Sequence, residues 1–204
     1  MPLPLEPSNA VTLVTAFDAF GGMHVNPSAE LVMQLGLADK SLSTAVLPTS
    51  YARAWDAMQK RLSAKPRRIV MFGFSRHAEG LRLERYARNG DRSLDRDNDG
   101  RSGQAKILDS APAVLRTSAP VDELCRRLGD ARIPAYVSED AGGFVCNHIY
   151  FLTLDALEKA IAPDASCLFV HVGDWQSASN RADIVRGAKL LVAALEPRAQ
   201  KAAA

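Results

Sequence analysis

The amino-acid sequence predicts an α/β protein, a three-layer α/β/α sandwich around a mostly parallel twisted sheet. Three observations carry this reading. Short β-rich runs alternate with helical stretches, and connections of that length imply parallel pairing with right-handed crossovers. The chain has 204 residues, 47% of them hydrophobic, enough to remove roughly 70% of the unfolded surface from water without disulfides or a structural metal. No internal repeat or linker breaks it. Residues 1–204 therefore read as a single α/β hydrolytic domain, with 1–9 and 197–204 as flexible ends.

Each element has its own signal. Val11 to Thr15 is β-rich and runs into a Gly21-Gly22 turn. Asn26-Pro27-Ser28 opens a helix, with Asn26 as N-cap and Pro27 in the first turn. Leu31, Val32 and Leu35 give that helix its apolar face, and Gly36 is expected to cap its end. Ser43 to Leu47 is a strand closed by Pro48, and Tyr51 to Leu62 has helical periodicity. Arg67 to Phe74 is a buried-type strand, and Leu81 to Ala87 reads as another. Asn89 to Gln104 is polar and Gly-containing, hence a long surface loop. Val121 to Leu128 is helical and Pro134 to Ser138 extended. Cys146 to Ile161 is a long amphipathic helix behind the Gly142-Gly143 turn. Ser166 to Val172 is an apolar strand, and Ile184 to Leu195 closes the chain as a helix.

Composition excludes several functions. Twenty-five basic against 23 acidic side chains leave no strong basic field for nucleic acid. The doublets Arg67-Arg68 and Arg126-Arg127 lack interleaved aromatics. No apolar run approaches the ~18–20 residues of a membrane helix, and the first ten residues do not resemble a signal peptide. Three scattered cysteines without a CxxC pair argue against a disulfide framework or a cysteine zinc site. Reduced thiols in a cytoplasmic compartment are expected.

Chemistry in such a fold gathers where strands end. Phe17 to Gly22, Asp140 to Cys146 and His171 are placed there. Cys146 follows two glycines and opens a helix, where free N–H groups and the dipole favour a thiolate. From residue type alone it stands open between a nucleophile and a small buried hydrophobe. Cys125 and Cys167 read as packing residues. His171 ends an apolar strand and could serve as a base. His148, two positions along the helix from Cys146, points elsewhere, and His24 and His77 lie in exposed turns. Asp95 to Gly100 starts like a calcium loop, but Lys106 stands where the closing Glu belongs; a solvated acidic turn is expected. Neither nucleotide nor metal motifs occur.

Three segments resemble the type I pyroglutamyl peptidases. Val14-Thr15-Ala16-Phe17-Asp18-Ala19-Phe20-Gly21-Gly22 with Asn26-Pro27-Ser28 is similar to that family's opening. Ile133 to Asn147 resembles the stretch around its nucleophile, and Leu168-Phe169-Val170-His171-Val172 resembles its histidine segment. Leu83-Glu84-Arg85-Tyr86-Ala87-Arg88-Asn89 is similar to its glutamate segment. The resemblance implies Cys146 as nucleophile, His171 as base and Glu84 as the group orienting it. It implies an α/β/α fold, a homotetramer, no cofactor and no metal. The implied substrate is a peptide with an N-terminal pyroglutamate, its ring held by Phe17, Phe20, Phe74, Phe144 and Val145.

The chain also departs from the pattern. Phe74 replaces a glutamine that recognises the lactam. Leu94 falls where an arginine assists the oxyanion, with Arg92 and Arg96 as nearby candidates to replace it. Gly173-Asp174-Trp175 stands where Pro-Tyr follows the histidine segment. These departures leave room for a related amidohydrolase acting on another small N-acyl or lactam-like substrate, or for a weakly active binding protein.

Overall fold

In the computed structural model the described residues are 11–159, 165–173 and 177–197. The expected flexible ends, the last turn of the 146–161 helix and Asp174-Trp175 lie largely or wholly outside them. Elements are numbered in chain order. β1 (Thr12–Phe17) is buried along its whole length and pairs in parallel with β2 (Leu42–Leu47) and β3 (Arg68–Phe74). β8 (Ser166–Val172) lies parallel to β3. β4 (Leu81–Glu84) follows antiparallel to β8, and β7 (Ala135–Ser138) runs parallel to β4. The sheet order is β2-β1-β3-β8-β4-β7, and β5 (Tyr86–Arg88) with β6 (Val114–Arg116) forms a separate antiparallel ribbon.

Alternation along the strands divides the interior into two cores. Leu13, Phe17, Ile69, Met71 and Phe169 face α2 (Tyr51–Leu62) and α4 (Val145–Glu158). Val14, Val70, Phe72, Leu168 and Val170 face α1 (Pro27–Ala38), α3 (Val121–Asp130) and α5 (Ala178–Ala194). Each fully buried Phe or Leu in these layers contributes roughly 1.5–3 kcal/mol of transfer free energy. The three-layer sandwich is thus present.

Several details differ from expectation. The six-stranded sheet is mostly parallel, with one antiparallel pairing, between β8 and β4. Residues 75–80 between β3 and β4 hold no helix, and a parallel crossover needs a dozen or more residues, so β4 is delivered in the opposite sense. The expected strand Leu81 to Ala87 breaks at Arg85, whose guanidinium is drawn to Asp122 and Glu139, and the chain changes sheets there. Gly36 does not end α1, which continues to Ala38 and is capped at Asp39. Its missing side chain instead lets α1 approach Thr44 of β2. α4 is not amphipathic: Asn147 through Leu157 are all buried, as expected of a helix apolar on every side.

The acidic turn is solvent-exposed as expected, except at Asp97. Asp97 is 5% exposed and accepts from the backbone N–H groups of Tyr51, Asp99 and Arg101. Asp99 accepts from Ser50 and Arg53. Carboxylates of the loop therefore anchor the start of α2.

Candidate active site

Sheet register builds the site. On β8, Cys167, Phe169 and His171 alternate onto the α4 side of the sheet, and His171 is opposite Gly73 of β3 and Arg82 of β4. Glu84 lies opposite Phe169, one step diagonally from His171 and on the same face as Arg82. His171 Nδ1 is 2.7 Å from Glu84 Oε1. Both side chains are almost fully buried. A carboxylate can only accept, so the contact requires the hydrogen on Nδ1 and leaves Nε2 as a free base.

Cys146 arrives from the other layer. It is the second residue of α4, behind Phe144 at the N-cap and Gly142, whose φ of +88° is a left-handed conformation that suits glycine. Phe144 supplies no side-chain cap, so the first N–H groups of α4 remain available to an anion. Cys146 and His171 line one cavity of about 420 Å³ with Phe20, Phe74, Arg82 and Phe144. Among the described residues no hydrogen bond joins the Cys146 sulfur to His171; such contacts often close only when substrate is bound.

Helix position does not make this thiol acidic. Burial pushes the Cys146 pKa up to about 12, the Glu84 charge adds to the rise, and Arg82 and the Cys146 amide pull the other way. Burial thus opposes the thiolate that the helix start would favour. The sulfur is protonated at neutral pH and needs a base to react.

The aromatic residues divide. Phe20, Phe74 and Phe144 line the cavity, and the Phe20 and Phe144 rings lie 5.7 Å apart. Phe17 and Val145 were expected in the ring pocket but are 1% and 0% exposed and pack in the core. Phe17 faces the strand interior against Phe169, and Val145 is turned inward by the first turn of α4. Leu94 is 99% exposed. Arg92 is bound to Asp140 and Arg96 to the Gly100 carbonyl, so neither lines the cavity. Cys125 and Cys167 pack in the cores, and burial raises both thiols. His24 and His77 are exposed, while His148 is buried against Asp91 at 2.8 Å.

Residue patterns alone did not reveal four contributors. Arg82 donates through Nε to Glu84 Oε1 at 2.7 Å. Gly73 leaves room for the Cys146 sulfur. Asn147 accepts from Arg88 N–H and donates to the carbonyls of Arg88 and Gly90. Tyr150 donates to the Glu84 carbonyl at 3.0 Å. Arg82 alone had a readable signal, since a residue two before Glu84 on a strand shares its face.

A thiol and a carboxylate-bound imidazole meeting at the strand ends of an α/β/α sandwich define a cysteine peptidase. The comparisons narrow the class. Residues 10–179 match the family model described as pyroglutamyl peptidase. The pyrrolidone-carboxylate peptidase of Streptococcus pyogenes serotype M5 is 29% identical over 196 residues, covering 90% of this chain and 91% of the relative. That of Pyrococcus furiosus is 29% identical over 165 residues, covering 78% and 79%. Among solved structures, Bacillus amyloliquefaciens pyroglutamyl peptidase I superposes with a TM-score of 0.82 at 27% identity, covering 90% and 95%. The pyrrolidone carboxyl peptidase of Fervidobacterium islandicum AW-1 gives the same TM-score and identity over 90% and 96%. The chain belongs to the pyroglutamyl peptidase family.

Proposed function

We propose that this chain is a cysteine exopeptidase that hydrolyses the amide bond after an N-terminal pyroglutamate, with Cys146, His171 and Glu84 as its catalytic residues. The observation that carries the reading is the 2.7 Å contact of His171 Nδ1 with buried Glu84, His171 lining the same cavity as Cys146. His171 Nε2 takes the thiol proton as the sulfur attacks the scissile carbonyl. Glu84 holds the ring in that tautomer and stabilises the imidazolium. The tetrahedral oxyanion accepts from the uncapped N–H groups at the start of α4. Collapse breaks the C–N bond, the imidazolium protonates the leaving amine, and a thioester remains. Water, activated by His171, then hydrolyses the thioester and releases pyroglutamate. Each step uses groups of the chain and water.

Phe20, Phe74 and Phe144 give the ring an apolar, aromatic wall. Phe74 also supports a second reading: it stands where the family resemblance places a lactam-recognising glutamine, so another small N-acyl amide is the competing substrate. Among the described residues no helix is long and apolar enough to cross a membrane. A cytoplasmic location suits a thiol that must stay reduced. Homo-oligomer formation belongs to the same proposal, and light scattering measures it directly. The decisive test is hydrolysis of a pyroglutamyl chromogenic amide by the wild-type chain and Cys146→Ala. Turnover lost in the variant supports the reading. A wild type that is alkylated at Cys146 yet leaves the amide intact shifts it to the second substrate class.

A further inference from the structure

Glu84 Oε1 has a second donor that the three-residue mechanism does not use. Arg82 Nε is 2.7 Å from that oxygen, and Arg82 Nη2 is 3.2 Å from His171 Nδ1. The Arg82 side chain is 17% exposed and lines the cavity with Cys146 and Phe144. It is not a surface ion pair that happens to lie nearby. Strand register fixes it, since Arg82 is the residue of β4 directly opposite His171.

Proton bookkeeping decides what the second contact means. Guanidinium only donates and carboxylate only accepts, so His171 Nδ1 can satisfy one of its two neighbours at a time. If Nδ1 is bare, Arg82 donates to it, the ring proton sits on Nε2, and no base faces Cys146. If Nδ1 carries the proton, it bonds to Glu84, and Nη2 must direct its hydrogens elsewhere. The second arrangement is the competent one and matches the shorter contact. Nε keeps Arg82 tied to Glu84 throughout, and because Arg82 lines the cavity, its freed Nη2 hydrogens are available to a group bound there.

We propose that Arg82 is a substrate-facing residue of this reaction, anchored by Glu84 and donating to the charge that develops on the scissile carbonyl. In the acylation step the Cys146 sulfur bonds to the carbonyl carbon and its proton passes to His171 Nε2. The carbonyl oxygen, now negative, accepts from Arg82 Nη2 together with the α4 N–H groups. Collapse returns the electron pair, breaks the C–N bond and sends the imidazolium proton to the amine. The proximity of Arg82 also favours the thiolate, against the opposing effects of burial and Glu84. Arg82 thus brings to the cavity a cation that neither Arg92, bonded to Asp140 and the Gly142 carbonyl, nor Arg96, bonded within its own loop, supplies there.

The inference rests on the proposed peptidase chemistry, and two readouts keep the two apart. Arg82→Met and Arg82→Lys are compared with wild type for kcat and KM on a pyroglutamyl amide. The rate of Cys146 alkylation by iodoacetamide is followed against pH, and thermal unfolding checks the fold. Arg82→Met is expected to lower kcat about a hundredfold, the usual effect of losing one oxyanion donor, with KM changed by less than about threefold. Its alkylation profile should move to higher pH. Arg82→Lys should restore the alkylation profile, because charge is kept, while recovering only part of kcat, because the Glu84 anchor is lost. A folded Arg82→Met with wild-type kcat and profile overturns the proposal. Equal alkylation profiles in the Lys and Met variants also overturn it, since packing rather than charge would then be at work. Should the wild type fail to cleave the amide, the substrate reading falls, and the alkylation profiles still decide the role of Arg82.

Discussion

A β-carbon added at Gly73 would fall 2.9 Å from the sulfur of Cys146 and equally close to the Phe169 ring. Gly73 is also in register with His171 on the neighbouring strand. The Cys146 sulfur therefore occupies the space a side chain on β3 would fill. Absence of one methyl group sets where the thiol stands relative to His171.

Gly73→Ala should fold, at an overpacking cost of roughly 1–3 kcal/mol. It should lose turnover about a hundredfold, since a misplacement near 1 Å has that effect. Steady-state kinetics beside a urea unfolding curve measure both. Unchanged turnover would show that Cys146 works from another position.

Glu84→Gln keeps the shape of the side chain and removes its charge. The amide can donate to Nδ1 and so stabilise the wrong ring tautomer. Turnover is expected to fall by roughly 10³–10⁴-fold with little change in KM. A fall of less than tenfold would remove Glu84 from the catalytic residues.

Alkaline stability should carry the mark of Cys146. Its thiol has an ordinary value of 9.0 and is raised to about 12 by burial in the folded chain. The folded state holds this proton more tightly, so the contribution is fully present below pH 9 and lost as pH rises towards 12. Cys167 and Tyr150 are raised in the same direction. The denaturant midpoint is expected to drop between pH 9 and 11, and to drop less steeply in Cys146→Ala. Parallel curves for the two chains would contradict the buried, protonated thiol.

Phe74→Gln restores an amide donor and acceptor to the cavity wall. If pyroglutamate is the substrate, the expected outcome is a KM lowered by about three- to tenfold, the range of one modest hydrogen bond. An unchanged or higher KM would mean that Phe74 contacts the ring productively by stacking.

How much of this could be read in advance depended on whether a feature was local. α2 and β8 fall at the predicted residues because Ser50 caps the one and an unbroken apolar run defines the other. The sense of β4 was hidden, since strand direction follows from what lies between strands. β6 has only three residues, too few for a periodicity. The break at Arg85 depends on Asp122 and Glu139, 37 and 54 positions away. At the site, family resemblance nominated Glu84, Cys146 and His171; the fold places Cys146 and His171 on one cavity and Glu84 buried against His171. It could not separate Phe17 from Phe20, because both are aromatic residues beside a turn and only the strand pleat turns one inward. The burial that raises the Cys146 thiol was equally invisible, since it comes from the opposite layer.

Tyr150 and Asn147 give α4 a property that extends past catalysis. Through them the helix bearing the nucleophile grips the carbonyl of Glu84 and the backbone of residues 88–90. Cys146 and Glu84 are consequently one mechanical part, while His171 sits on the neighbouring strand β8. Anyone transplanting this chemistry into a new scaffold would have to move residues 82–90 and 142–150 as a single cassette. The imidazole could then be supplied by any neighbouring strand of the right register.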